Sequence, residues 1–343
     1  MGGNDMATRT PLIGRRTFGA AAIGLPLAAA APPARAQEGF PFRTFRVLIP
    51  TGQGGGAEQL ARAFTAGWSK HLGGRPFEYE FHAGAGGQVG YELFVHRRER
   101  DGHNLLFGNM GPEMLMYALQ RPRFRFPQDI TYFCRIDVDD SCVFVRANSP
   151  FRRIEDVVAE ARRRPLNVAT SRIPHPASIG ILALGEAQRA RFNLVPYGGG
   201  NPTLVAVLNG EADIGVLPIA LVVQQGERMR TLGVFNEENI LAARSNDAPP
   251  INRVFGTRIP PLPSSRSWAI HTEVIERHPD RFRRLEETAA RVFEDEEFRQ
   301  AYARQGLPVE TIRFGDRQVC TDYALAMIEL ADRFRAQLSA QRG

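Results

Sequence analysis

The residues best suited to chemistry are bare backbone amides. Pro50-Thr51-Gly52-Gln53-Gly54-Gly55-Gly56-Ala57 follows the apolar run Phe45–Pro50 and precedes a stretch with helical spacing. Successive glycines let the chain turn sharply and leave N–H groups at a helix start, where the partial positive charge favours an anion. The loop also fits the dinucleotide pattern G-x-G-x-x-A, with Glu80 at the end of the next strand as a ribose ligand. A plain strand-to-helix turn is the third reading, although consecutive glycines are entropically costly for a turn alone. A Walker loop is excluded, because no Gly-Lys-Ser/Thr follows. Two further glycine loops stand at His82–Gly90 (HAGAGGQVG) and Val195–Pro202 (VPYGGGNP), the latter in the other half of the chain. Nothing resembles a G-x-S-x-G elbow, an H-E-x-x-H helix or a Cys-His pair, so an enzyme is not expected.

Elements must bring these loops together. FRVLI, FEYEF, NLLFG, LNVA, NLVPY, ADIGV and TLGVF read as strands, with helical patterns between them, including Glu58–His71 and Ile154–Arg164. Such alternation predicts an α/β chain with mainly parallel sheets, whose loops at the carboxyl ends of the strands face one crevice. The stretch 248–267 reads as a long Pro- and Ser-rich connection, SWAI as a short strand, and the remainder as helices at 280–293, 295–305 and 316–338.

Arg15-Arg16-Thr17-Phe18, a short apolar run and Ala34-Arg35-Ala36 together predict a cleaved twin-arginine-type export signal over residues 1–36. Its removal leaves roughly 300 residues, enough for two lobes. The chain carries a net charge of +6, which falls to about +3 without that segment, too mild to argue for nucleic acid. Cys134 and Cys142, eight residues apart, could bridge in an oxidising compartment or stay as buried thiols. With Cys320 as the third cysteine and scattered histidines, the sequence offers no metal-ligand spacing. No cofactor is expected.

The ordered segments resemble the Bug or TctC-like extracytoplasmic solute receptors, the binding components of tripartite tricarboxylate transporters. The resemblance rests on PTGQGGGAEQLAR, on Gly84-Ala85-Gly86-Gly87 with Gly90, on Arg100-Asp101-Gly102 with Leu105, on Val195-Pro196-Tyr197-Gly198-Gly199 with Pro202, and on Gly210 with Asp213. Glu58 replaces the family's aspartate, and Thr170-Ser171-Arg172-Ile173-Pro174-His175 replaces a segment that carries two glycines in the family. Family members resemble other periplasmic receptors, so the expected fold is two α/β lobes of type II-like periplasmic binding architecture with a ligand cleft between them. The expected division is lobe 1 at 43–137 plus 238–343 and lobe 2 at 138–237, joined by crossing segments.

The resemblance implies a monomeric periplasmic receptor for a small carboxylate, delivered to membrane permease subunits. The expected ligand-binding residues are Thr51, Gly52, Gln53, Gly54, Gly55, Gly84, Ala85, Gly86, Gly87, Asn109, Thr170, Ser171, Arg172, Tyr197, Gly198, Gly199 and Pro202. Among them Arg172 is expected to make a charge-assisted contact to the ligand carboxylate. His175, between two prolines in the divergent loop, could touch ligand, although such a histidine is more often simply exposed. The competing readings are an exported Rossmann-type NAD(P) oxidoreductase and a periplasmic ligand sensor that partners a signalling receptor.

Overall fold

The computed structural model describes residues 39–340, so the export-type segment at 1–36 lies outside the described residues. The chain begins with β1 (Phe45–Ile49), α1 (Gly56–His71), β2 (Phe77–Phe81), α2 (Gln88–Arg97), β3 (Asn104–Asn109), α3 (Met110–Gln120) and β4 (Ile130–Asp137). It crosses into β5 (Asp139–Arg146), α4 (Ile154–Arg163), β6 (Leu166–Thr170), α5 (Pro176–Gln188), β7 (Phe192–Pro196), α6 (Gly200–Asn209), β8 (Ile214–Pro218), α7 (Ile219–Val223) and β9 (Met229–Val234). After α8 (Ile251–Phe255) and β10 (Pro263–Ser264) it returns through β11 (Arg266–His271), α9 (Thr272–Arg277), α10 (Pro279–Arg291), α11 (Glu296–Arg304), β12 (Ile312–Gly315), α12 (Arg317–Arg333) and α13 (Arg335–Ala340).

Two six-stranded sheets result. The first has the order β12-β4-β11-β3-β1-β2; the second runs β10-β5-β8-β6-β7, with β9 also paired to β5. β1 pairs in parallel with β2 and β3, and β6 with β7 and β8. Strands that enter from the other lobe pair antiparallel: β11 with β3 and β4, and β5 with β8 and β9. The parallel blocks carry the glycine loops, and the antiparallel strands carry the crossings.

One residue, Val138, separates β4 from β5, so the chain runs straight from one sheet into the other. That geometry settles the cysteines. Cys134 is buried in the core of the first sheet, Cys142 in a core of the second, and both are free, as is Cys320. In an extended crossing, eight residues span roughly 25 Å, far beyond the reach of a disulfide. The return crossing lies at Ser265. The stretch 248–267, expected as an open connection, contains α8 and β10, and β10 pairs with β5 of the second sheet. The part of lobe 1 expected to begin at residue 238 therefore enters the first sheet only at Arg266.

Each apolar pattern finds its partner. Leu60, Phe64 and Trp68 lie on one face of α1 and pack with Trp268 of β11 and Phe298 of α11. Trp68 Nε1 donates to Thr288 Oγ1 at 2.9 Å, so the indole is buried without an orphan donor. The helical tail closes back on the first lobe, with α12 against α3 and β4. Among the described residues no helix is long and apolar enough to cross a membrane.

Candidate functional site

A cavity of about 450 Å³ opens where the carboxyl ends of the strands meet. Its walls come from the β1–α1 loop (Pro50–Gln53, Gly55–Ala57), the β2–α2 loop (Ala83–Gly87), Asn109, the β6–α5 loop (Ser171, Arg172, His175), residues 198–202 at the start of α6, Leu217, Pro218 and Leu221, and Arg266. Three glycine loops from two sheets thus face one space.

The backbone explains why these loops need glycine. Gly84, Gly86 and Gly87 have φ of 135°, 68° and 108°, a region that strains other residues. Gly90, one turn into α2, lets the helix sit against β1: a Cβ there would lie 2.8 Å from Pro50 Cβ and 2.9 Å from the His82 carbonyl oxygen.

Of the expected residues, Thr51, Gly52, Gln53, Gly55, Gly84, Ala85, Gly86, Gly87, Asn109, Ser171, Arg172, Gly198, Gly199 and Pro202 line the cavity. Three expected residues do not, each for a local reason. Gly54 turns its N–H to Glu58 Oε2 at 2.6 Å, and its carbonyl accepts from Asn201 Nδ2 at 3.2 Å. Thr170 is fully buried, and its hydroxyl bonds Ser178 Oγ at 2.9 Å and the Arg172 carbonyl at 3.2 Å, so it shapes the loop from behind. Tyr197 is half-buried and packs against the apolar cluster that α6 and β8 share, without lining the cavity itself.

Arg172 and His175 form part of the second-lobe wall. Arg172 Nη1 donates across the cleft to the Gly86 carbonyl at 2.8 Å. Behind that contact lies a buried polar chain. Glu113, in the first turn of α3, accepts from Tyr91 Oη at 2.6 Å, and Tyr91 is in turn bonded to Tyr132. Burial pushes the Glu113 carboxyl up to about 7, against the lowering influence of Arg172. His175, expected at the surface, is buried. Its Nδ1 accepts from the Ala177 N–H at 3.0 Å and caps α5, which places the ring proton on Nε2. Burial, with Arg172 adding to it, depresses its pKa to about 3, so the ring is neutral.

Arg266 is not legible in the sequence as a site residue. It is 5% exposed, starts β11 and forms part of the cavity floor. Its Nη2 pairs with Asp137 and, at 3.2 Å, with Asp139 Oδ2, while its backbone N–H donates to Asp137 Oδ1 at 2.8 Å. Asp139 Oδ1 also accepts from the Ala220 N–H at 3.0 Å. One guanidinium therefore ties both crossings and the start of α7. The pairing spans more than 120 residues, so no local pattern announces it.

Glu80, the residue a dinucleotide ribose would require, is engaged elsewhere: its carboxylate pairs with Arg98 and with His82 Nε2 at 3.3 Å. Among the described residues no cluster of His, Cys, Asp and Glu could hold a metal ion.

Comparison with known proteins agrees with this geometry. The sequence profile of the tripartite tricarboxylate transporter family receptor (TctC) matches residues 60–255. A UPF0065 protein in the tcbD-tcbE intergenic region of Pseudomonas sp. (strain P51) is 27% identical over 226 residues, 65% of this chain and 66% of that relative, just under two thirds of its length. Among solved structures, MatC from Rhodopseudomonas palustris with bound malate superposes with a TM-score of 0.70 at 21% identity, covering 87% of this chain and 100% of that one. An R. palustris protein with adipate gives 0.74 at 19% identity over 88% and 98%. At such identities the superpositions establish the two-lobe fold, while the profile, which matches more than half of the residues, establishes the family. The chain belongs to the tripartite tricarboxylate transporter receptor family.

Proposed function

We propose that this chain is a periplasmic solute receptor that captures a small carboxylate between its two lobes and hands it to the permease subunits of a tripartite tricarboxylate-type transporter. The observation that carries the proposal is the cavity itself: glycine loops from both sheets and the Arg172 side chain surround about 450 Å³, a volume suited to a small metabolite. Malate and adipate in two proteins of similar fold support the ligand class. Export through the N-terminal segment, action as a monomer and the absence of an enzymatic step belong to the same reading. The lobes divide at Val138 and Ser265, where the chain crosses, and closure needs rotations at only a few such bonds.

The carboxylate sits against the second-lobe wall, where Arg172 offers N–H groups beyond the one given to Gly86. A thermal-shift screen of the mature chain over mono-, di- and tricarboxylates, amino acids and aromatic acids should give a raised melting temperature for at least one carboxylate, since a ligand of the folded state stabilises it by mass action. Arg172→Ala should then weaken that ligand by about 1.5–3 kcal/mol, the range for hydrogen bonds to charged groups. Unchanged affinity on calorimetric titration would remove Arg172 from the site, and a flat screen would remove the carboxylate.

A further inference from the structure

Gly87 stands between two charges that belong to different lobes. A Cβ at Gly87 would lie 3.5 Å from Glu113 Cγ on α3 and 3.6 Å from Arg172 Nη1 on the β6–α5 loop, so the missing side chain leaves the line between them open. Arg172 gives one N–H to the Gly86 carbonyl, and the carboxylate that acts on its charge is Glu113. The second-lobe loop thus crosses the cleft beside a buried acid of the first lobe.

Glu113 is enclosed by first-lobe groups. Tyr91 of α2 donates to its Oε2 at 2.6 Å, Tyr132 of β4 bonds Tyr91, and Gly108 of β3 lies so close that a Cβ there would collide with the same oxygen. The Asn109 N–H favours the ionised form, and Tyr323 of α12 feels its charge. Burial keeps Tyr91, Tyr132, Tyr323 and the Cys320 thiol beside Tyr132 neutral, as it does His175 beside Arg172. Arg172 is therefore the cation that faces Glu113, and among these groups only Arg172 and His175 leave with the second lobe.

Burial favours the neutral acid, and Arg172 opposes it. With the lobes apart, Glu113 keeps its first-lobe enclosure and loses the cation, so the open form holds the proton more tightly than the closed one. A difference in proton binding of this sign favours closure as pH rises.

We propose that Glu113 is a positioning residue that acts through Arg172: ionised, it draws the second-lobe loop onto the Gly86–Gly87 turn and favours the closed cleft, and protonated, it lets the lobes part. This role rests on the receptor reading above, in which the lobes move, and adds a pH dependence to that motion.

Lobe separation can be followed without a ligand. Cys134, Cys142 and Cys320 are buried, so Glu78→Cys on β2 and Glu211→Cys before β8, both at exposed positions, carry a donor and acceptor dye, one per lobe. Single-molecule energy transfer on the mature chain should show the closed-to-open ratio rising about tenfold between about pH 5.5 and about pH 8.5. Glu113→Gln keeps the size and the acceptor for Tyr91 but cannot ionise, and it should flatten this response, as should Arg172→Met. Asp139 and Asp140, raised by burial to about 7 and about 6 beside the crossing, titrate in the same window and remain in both variants. A pH response that survives in either variant would therefore overturn the role of Glu113, and so would a ratio that stays constant with pH in the parent. Neither result touches the carboxylate reading, which stands or falls on the thermal-shift screen.

Discussion

Glu113 is the residue whose protonation most directly links the site to stability. An unfolded glutamate loses its proton near 4.5, whereas burial holds the folded one near 7, so the folded state keeps a proton that the unfolded state has lost. Stability contributed by this group therefore falls as pH rises from about 4.5 to about 7. His175 and His271, depressed to about 3 and about 4 by burial, act in the opposite direction: the unfolded state binds their protons first, and stability falls as pH drops below about 6.5. Glu113→Gln separates the two. Relative to the parent it should gain on the order of 2–3 kcal/mol between pH 5 and pH 8 in urea denaturation, because a shift of one pKa unit is about 1.4 kcal/mol; parallel pH curves would show that Glu113 is not held protonated. Arg172 is visible in the sequence as a departure from the family pattern. Its partner Gly86 and the neutral state of His175 are not, since the first depends on a contact between the lobes and the second on burial beside Arg172.

At the level of elements, the β2–α2 connection is the most tightly constrained. Gly90 touches Pro50 and His82 at distances that a methyl group cannot share. Gly90→Ala should lower stability by about 1–3 kcal/mol, as overpacking does, and should also weaken ligand binding, because α2 carries the Gly84–Gly87 turn at its start. A melting curve with ligand titration on the same variant checks both; unchanged stability would mean the helix shifts freely. Most strands and the tail helices are legible from apolar runs of period 2 and from three- and four-residue spacing. The stretch 248–267 is not, because α8 and β10 are too short to carry a period. Their order comes from neighbours: Val234 N–H bonds the Pro249 carbonyl, and Ser141 Oγ bonds the Leu262 carbonyl at 2.6 Å.

For the molecule as a whole, two hydrogen bonds among the described residues reach across the cleft, Arg172 to Gly86 and Asn201 to Gly54. They stabilise the approach of the lobes directly, while Arg266 with Asp137 and Asp139 holds both crossings at the base. Asn201→Ala removes a latch at the rim that touches the first loop by its backbone alone. It should weaken the ligand by about 0.5–1.5 kcal/mol, mainly through faster dissociation in stopped-flow measurements; an unchanged off-rate would show that the contact plays no part in closure.

The sequence by itself determined the periodic elements, the three glycine loops and the family pattern in which they stand, because each is written in residues close together along the chain. Tertiary structure alone decided that Cys134 and Cys142 lie in separate cores, that Tyr197 packs on an apolar cluster, and that the return crossing lies at Ser265. It also made Arg266 the floor of the cavity. Those outcomes depend on which sheet each strand enters and on pairings between residues more than 100 positions apart, such as Asp137 with Arg266. A local pattern contains neither.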